Sequence, residues 1–171
     1  MIQAGVLTVS DRSSRGERPD MSGPAVAQFV REALKWNVAD TAIVADDASA
    51  ICSKLVEWCD EAKLNLIFTT GGTGFAPRDV TPEATRAIID REAPGLGEAM
   101  RASSLKLTPH AMLSRAVCGI RGSTLIVNLP GSPKACRENL ETIAPALPHA
   151  MQLLSGDAGA ETGHAQRIGS G

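Results

Sequence analysis

At 171 residues, with hydrophobic residues at 43% and charged residues at 21%, the chain has the size and make-up of one globular domain that buries its own core. A net charge of −2 without any Lys/Arg run, and aromatics at 3% with no Tyr, argue against a basic or base-stacking nucleic-acid surface. The opening MIQAGVLTVSD lacks the basic-then-apolar pattern of a secretion signal, and no window approaches ~18 apolar residues, so a cytoplasmic protein with no membrane partner is expected.

In chain order, residues 4–9 are a short apolar run ending in Ser10-Asp11, which reads as a buried strand and its exit. Residues 11–23 are polar, with Arg12, Arg15, Arg18 and Asp20, and read as loop; Pro24 suits the first position of a following helix. Val26, Phe29, Val30, Ala33 and Leu34 then share one helical face. Residues 40–45 are a weakly patterned second strand, Ile51, Leu55, Trp58 and Ala62 mark a second helix, and residues 64–70 form the next buried strand. Thr81-Pro82-Glu83 reads as a helix start with Thr81 as N-cap and Pro82 at N1. A further helix after Pro94-Gly95 carries Leu96, Met100 and Leu107.

Residues 116–120 and 125–129 are two apolar runs joined by Arg121-Gly122-Ser123, the pattern of a hairpin. Ser132-Pro133 opens a last helical stretch that Pro145 and Pro148 divide in two. From residue 157 to 171 the chain is small and polar, expected to be a flexible tail behind a single domain over 1–156. Strands that are apolar throughout and alternate with helices predict an α/β domain around a mainly parallel sheet. In such sheets ligands bind beyond the carboxyl ends of the strands. The expected site loops are therefore 10–23, Asp46-Asp47, 71–81 and 130–133.

Cys52, Cys59, Cys118 and Cys136 form no C-x-x-C pair and read as reduced, mostly buried thiols; His110, His149 and His164 give no zinc spacing. Gly71-Gly72-Thr73-Gly74 lies between a strand and a helix start, where successive backbone N–H groups can converge on an anion. No G-x-x-x-x-G-K-[ST] is present, so this is not a P-loop, and a turn without a ligand is the competing reading. A Cβ at Gly72 is expected to collide with a ligand or force a disfavoured φ. Arg78 can fork onto phosphate, and Asp79 is better suited to Mg²⁺. Asp46-Asp47 adds two acids at the end of the preceding strand, one of which can serve as a helix cap. Paired acids at neighbouring strand ends fit a Mg-nucleotide site. No Ser/His/Asp set supports a side-chain nucleophile.

Taken together, TTGGTGFAPRDVTPEAT at 69–85 resembles the signature of the molybdenum-cofactor biosynthesis family, which includes bacterial molybdopterin adenylyltransferases and the G domains of plant and animal homologues. The segments VSDRSSRGERPDMSGP, PGLGEAMR, LTPHAMLSRAVCGIR and LIVNLPGSPKA follow the family pattern in the same order, over about residues 5–156. The resemblance implies a three-layer sandwich, a homotrimer, and transfer of adenylate from ATP to the terminal phosphate of molybdopterin. It implies Asp46 and Asp79 as the acids tied to Mg²⁺ and catalysis, Gly71, Gly72, Thr73 and Gly74 along the nucleotide phosphates, and Pro130, Gly131 and Ser132 at the adenosine end. It places Asp11, Ser22 and Gly23 on the pterin side, with Ser114 and Arg115 beside them. There a carboxylate such as Asp11 or Asp20 can pair with the pterin's amide and amino edge, while an Arg meets its phosphate. Relatives often carry Asn or Gln at the position of Ser132, so a backbone role is expected there. A downstream molybdenum-insertion enzyme is an expected partner. The alternatives are a binding-only paralogue and a nucleotide pyrophosphatase of the competence-damage type, whose paired-Asp pattern Arg78-Asp79-Val80-Thr81-Pro82 does not match.

Overall fold

The computed structural model describes residues 1–156, so the expected tail at 157–171 lies outside the described residues. Six strands, β1 (Gln3–Val9), β2 (Asn37–Val44), β3 (Leu66–Thr70), β4 (Arg91–Glu92), β5 (Cys118–Arg121) and β6 (Thr124–Leu129), form one sheet in the order β2-β1-β3-β6-β5-β4. β1, β2, β3 and β6 run parallel, and β5 and β4 add an antiparallel edge. The hairpin between β5 and β6 turns at Gly122, whose φ of 56° lies in the left-handed region that glycine enters without strain.

Period-two alternation sends neighbouring residues of each strand to opposite faces, and in β1, β3 and β6 both faces are buried. Ala4, Val6, Leu66, Phe68, Leu125 and Val127 pack against α2 (Ser22–Glu32), α5 (Pro94–Leu105), α6 (Pro133–Ile143) and α7 (Leu147–Leu154). Leu7, Val9, Ile67 and Ile126 pack against α3 (Ala48–Val56) and α4 (Thr81–Ile88). The result is three layers, helix–sheet–helix, as expected. Among the described residues no helix is long and apolar enough to cross a membrane.

Several local expectations are corrected. The first loop is not loop throughout: α1 (Asp11–Ser14) is a single turn capped by Ser10 Oγ, which accepts from Ser13 N at 3.2 Å. α2 opens two residues before Pro24, because Asp20 Oδ1 accepts from the N–H groups of Ser22 (3.1 Å) and Gly23 (3.0 Å) at the helix entrance. Thr81 is not an N-cap: it is the first residue of α4, and its hydroxyl points back into the glycine loop. The helix carrying Leu96 and Met100 ends at Leu105; Leu107 lies beyond it and is exposed, and a 3₁₀ turn over Pro109–Leu113 follows.

Register is what builds the site. Thr8 pairs with Thr70, Thr70 with Leu129, and Val9 with Val44, so the four parallel strands end at one level. Residues 10–23, 45–47, 71–80 and 130–132 therefore leave the sheet on one rim.

Candidate active site

The glycine loop leaves β3 with its carbonyl groups committed to protein donors. Thr81 Oγ1 donates to Gly71 O at 2.9 Å and Thr81 N to Gly72 O at 3.1 Å. Arg115 N donates to Thr73 O at 2.9 Å, and Arg115 Nε to Gly74 O at 2.7 Å. The N–H groups of Gly72, Thr73 and Gly74, by contrast, meet no protein acceptor among the described residues. Since unpaired backbone donors are costly away from solvent or a ligand, such a run is a ready anion cradle. Gly71 (φ 99°) and Gly72 (φ 64°) take the left-handed conformations that aim the peptides this way. A Cβ on Gly72 would run into Thr81 Oγ1, so the first collision is with the loop's own anchor rather than with a ligand.

Arg115 is the larger clamp, and sequence reasoning gave it a different task. Besides Gly74 it holds the Asp79 carbonyl through Nη2 at 2.7 Å and pairs with Glu83 on α4. The guanidinium thus fixes both ends of residues 74–79. Asp79 itself turns back on the loop, its Oδ2 accepting from Ala76 N at 3.1 Å.

Asp11 and Asp46 exchange hydrogen bonds across the ends of β1 and β2: Asp11 N donates to Asp46 Oδ2 at 2.7 Å, and Asp46 N to Asp11 Oδ1 at 3.1 Å. Arg78 reaches over from the glycine loop, forks onto the Asp11 carboxylate and donates to Asp46 O at 3.0 Å. The hydrogen bond from Arg78 holds the Asp11 carboxyl below its usual range. Burial pushes the Asp46 carboxyl up, and the negative charges of Asp11 and Asp79 push the same way. Asp47 is the cap of the pair, its Oδ1 accepting from Ala50 N at 2.8 Å.

Two clefts open on the rim, of about 510 and 450 Å³, and they share Gly72, Asp79 and Gly131. The first is lined by Asp11, Arg12, Arg18, Ser22, Asp46 and Gly71. The guanidinium groups of Arg12 and Arg18 donate to no protein acceptor among the described residues. The second is lined by Thr73, Gly74, Met100, Leu113, Ser114 and Pro130, with Glu138 and Asn139 of α6 at its far side.

This division separates residues that sequence reasoning grouped. Asp11 and Ser22 line the first cleft and Ser114 the second, so the expected pterin set is split. Gly23 lines neither; it sits under Asp20 and Thr8, where a Cβ would collide with both side chains. Asp20 also lines the first cleft, where its carboxylate accepts from the N–H groups at the entrance of α2 and from Thr8 Oγ1 at 2.6 Å. Ser132 caps α6, its Oγ accepting from Ala135 N at 3.2 Å. The buried thiols offer no nucleophile: burial raises Cys118 to about 12 and Cys59 and Cys136 to about 11. Among the described residues no three His, Cys, Asp or Glu side chains converge as a metal cage.

The family model described as "probable molybdopterin binding domain" matches residues 5–149. A molybdopterin adenylyltransferase of Helicobacter pylori is 46% identical over 157 residues, covering 91% of this chain and 89% of its own length. The molybdenum cofactor synthesis protein cinnamon of Drosophila melanogaster is 47% identical over 156 residues, and there this chain spans only 26% of the relative's length. Among solved structures, the molybdopterin biosynthesis enzyme MoaB of Thermus thermophilus superposes with a TM-score of 0.86 at 52% identity, over 92% of this chain and 98% of that one.

Proposed function

The chain belongs to the family of probable molybdopterin binding domains, and on that premise we propose that it is a molybdopterin adenylyltransferase, a nucleotidyltransferase that transfers adenylate from ATP to molybdopterin in molybdenum cofactor biosynthesis. Relatives known as molybdopterin adenylyltransferases support the reaction. The observation that carries it for this chain is the pair of clefts meeting at Gly72 and Asp79, on a loop whose free N–H groups suit phosphate. A transfer between two phosphorylated substrates needs such a meeting point. A terminal phosphate oxygen of molybdopterin attacks the α-phosphorus of ATP, the bond to the β-phosphate oxygen breaks, and pyrophosphate leaves.

The work of the protein in such a step is positioning and charge neutralisation rather than covalent chemistry. The N–H groups of Gly72, Thr73 and Gly74 cradle the phosphate at the crossing of the clefts. Arg12 and Arg18, uncommitted to protein acceptors, suit the highly charged triphosphate, so we assign ATP to the first cleft and the pterin to the more apolar second one. This reverses the arrangement expected from the resemblance. The carboxylates on which that arrangement rested, Asp11 and Asp20, are occupied by Arg78 and by the start of α2.

Asp46 and Asp79 fit Mg²⁺. Both line the first cleft with hard oxygen ligands. Mg²⁺ is ordinarily held by one or two carboxylates plus substrate phosphates rather than by an all-protein cage. When bound it supplies charge neutralisation to the phosphate oxygens. The homotrimer, the cytoplasmic location and a downstream molybdenum-insertion partner belong to the same proposal. The test is incubation with molybdopterin, ATP and Mg²⁺ followed by mass spectrometry. Adenylylated pterin supports it; binding of both substrates without that product returns the chain to a binding-only role.

A further inference from the structure

Glu138 brings a carboxylate with spare hydrogen-bonding capacity to the wall of the second cleft. It sits on α6 at the second cleft, among the apolar walls made by Met100, Leu113 and Pro130. Its side chain is 32% exposed, and its ion partner is Lys134 one turn back at 3.8 Å, with that lysine 89% exposed. Such a surface pair is worth little and leaves most of the carboxylate's hydrogen-bonding capacity unused.

The next residue points the same way. Asn139 is only 9% exposed, and Ser104 Oγ of α5 donates to its Oδ1 at 2.8 Å. Its Nδ2 has no protein acceptor among the described residues, yet no buried side-chain nitrogen there is left without a partner, so Nδ2 has an opening to the cleft that Asn139 lines. An acceptor pair and an amide donor thus sit side by side on one wall. That pattern selects among heterocycles. A 2-amino-4-oxo-pteridine presents two parallel donors, ring N3–H and the 2-amino group, which match a carboxylate, and beside them a carbonyl oxygen that matches an amide donor. Adenine presents one amino donor next to the acceptor N1, which a carboxylate repels.

We propose that Glu138 is the specificity-determining residue of the second cleft, its carboxylate accepting from N3–H and the 2-amino group of the pteridine while Asn139 Nδ2 donates to the 4-oxo oxygen. The inference rests on the reading that the second cleft takes the pterin. It explains how two clefts on one loop avoid exchanging their heterocycles: the nucleotide's base is refused by Glu138.

The experiment uses the full chain and its Glu138→Gln variant, with competition for molybdopterin by a phosphorylated 2-amino pteridine and by its 2-oxo counterpart, and ATP affinity measured separately. Gln keeps the size of Glu, accepts from N3–H, and offers its own donor to a 2-oxo group. The wild-type protein should prefer the 2-amino compound by about tenfold or more, the size expected for one charged hydrogen bond. Glu138→Gln should abolish or reverse that preference, with ATP affinity and melting temperature unchanged. An unchanged preference in the variant overturns the inference while leaving the cleft assignment to a second variant, Ala111→Trp, which narrows the same cleft. Loss of pterin affinity there keeps the assignment; loss of ATP affinity in either variant overturns both.

Discussion

The hydroxyl of Thr81 donates to the carbonyl of Gly71 at 2.9 Å, tying the first turn of α4 to the exit of β3. Thr81 is fully buried, so its removal would leave that carbonyl without a donor. Thr81→Val keeps the shape and deletes the hydrogen bond. It should lower stability by about 1–3 kcal/mol, the cost of a buried unsatisfied group, and weaken ATP binding, because the cradle loses the anchor that fixes its peptides. Thr81→Ser should restore most of both. A thermal melt and calorimetric titration with ATP check the pair; a Val variant with wild-type ATP affinity would mean that the loop conformation is set elsewhere.

Asp46 separates catalysis from stability. Its folded-state pKa is raised above the unfolded value, first by burial and then by Asp11 and Asp79. The folded protein then holds that proton more tightly than the unfolded chain, so this group's contribution to stability falls as pH rises through the raised pKa. Asp46→Asn removes the charge and with it the pH-dependent loss, so at neutral pH the variant should melt no lower than wild type. Transfer should nevertheless drop by ~100-fold or more, the scale of losing one electrostatic stabiliser. Asp79→Asn should lose activity to a similar degree. Full transfer in both variants would remove these acids from the proposed metal site.

How far the site could be read in advance follows from the range of its contacts. The strands β1, β3 and β6 were legible because both their faces are buried, which makes 4–9, 64–70 and 125–129 predominantly apolar, whereas exposed β2 is only weakly patterned. The meeting of Asp46 and Asp79 on one rim was legible because strand ends in a parallel sheet share a level. Thr81 was misread because Thr-Pro-Glu has the local pattern of a capped start, whereas its hydroxyl goes to a residue ten positions back. The capping role of Asp20 was not legible, because no local pattern tells a loop carboxylate that caps the following helix from one left free. The resemblance placed Arg115 at the site, but its clamp was beyond reach: its contacts with Gly74 and Asp79 span 41 and 36 positions, and only the fold brings them together. β4 is two charged residues, Arg91–Glu92, with no apolar signal at all.

Arg115 should act as a positioning residue for Asp79 rather than as a substrate contact. Arg115→Lys retains a positive charge near Glu83 but lacks the planar fork that reaches Gly74 O and Asp79 O together. The expected signature is a fall of about tenfold or more in kcat with a smaller change in KM for pterin, since a loosened loop mis-sets the meeting point of the phosphates. Arg115→Ala should be worse and should also melt lower. A Lys variant that raises KM for pterin and leaves kcat alone would instead make Arg115 a binding residue, as the family resemblance implied.

The arginines of the first cleft decide which substrate lies where. Arg12 and Arg18 are exposed, line that cleft and donate to no protein acceptor among the described residues, unlike Arg15, which is spent on Glu17 at 2.7 Å. An attraction between exposed charges is screened over about 8 Å at physiological ionic strength, so a triphosphate held by them should bind less tightly as salt is raised. Arg12→Ala and Arg18→Ala should each weaken ATP binding and flatten its salt dependence, with molybdopterin affinity nearly unchanged. Arg15→Ala should do less, because its guanidinium already has a carboxylate. Titrations of each substrate at low and high salt read the outcome directly. Variants that lose molybdopterin and keep ATP would put the pterin in the first cleft, as the resemblance implied, and would exchange the roles of the two clefts while leaving Gly72 and Asp79 at their junction.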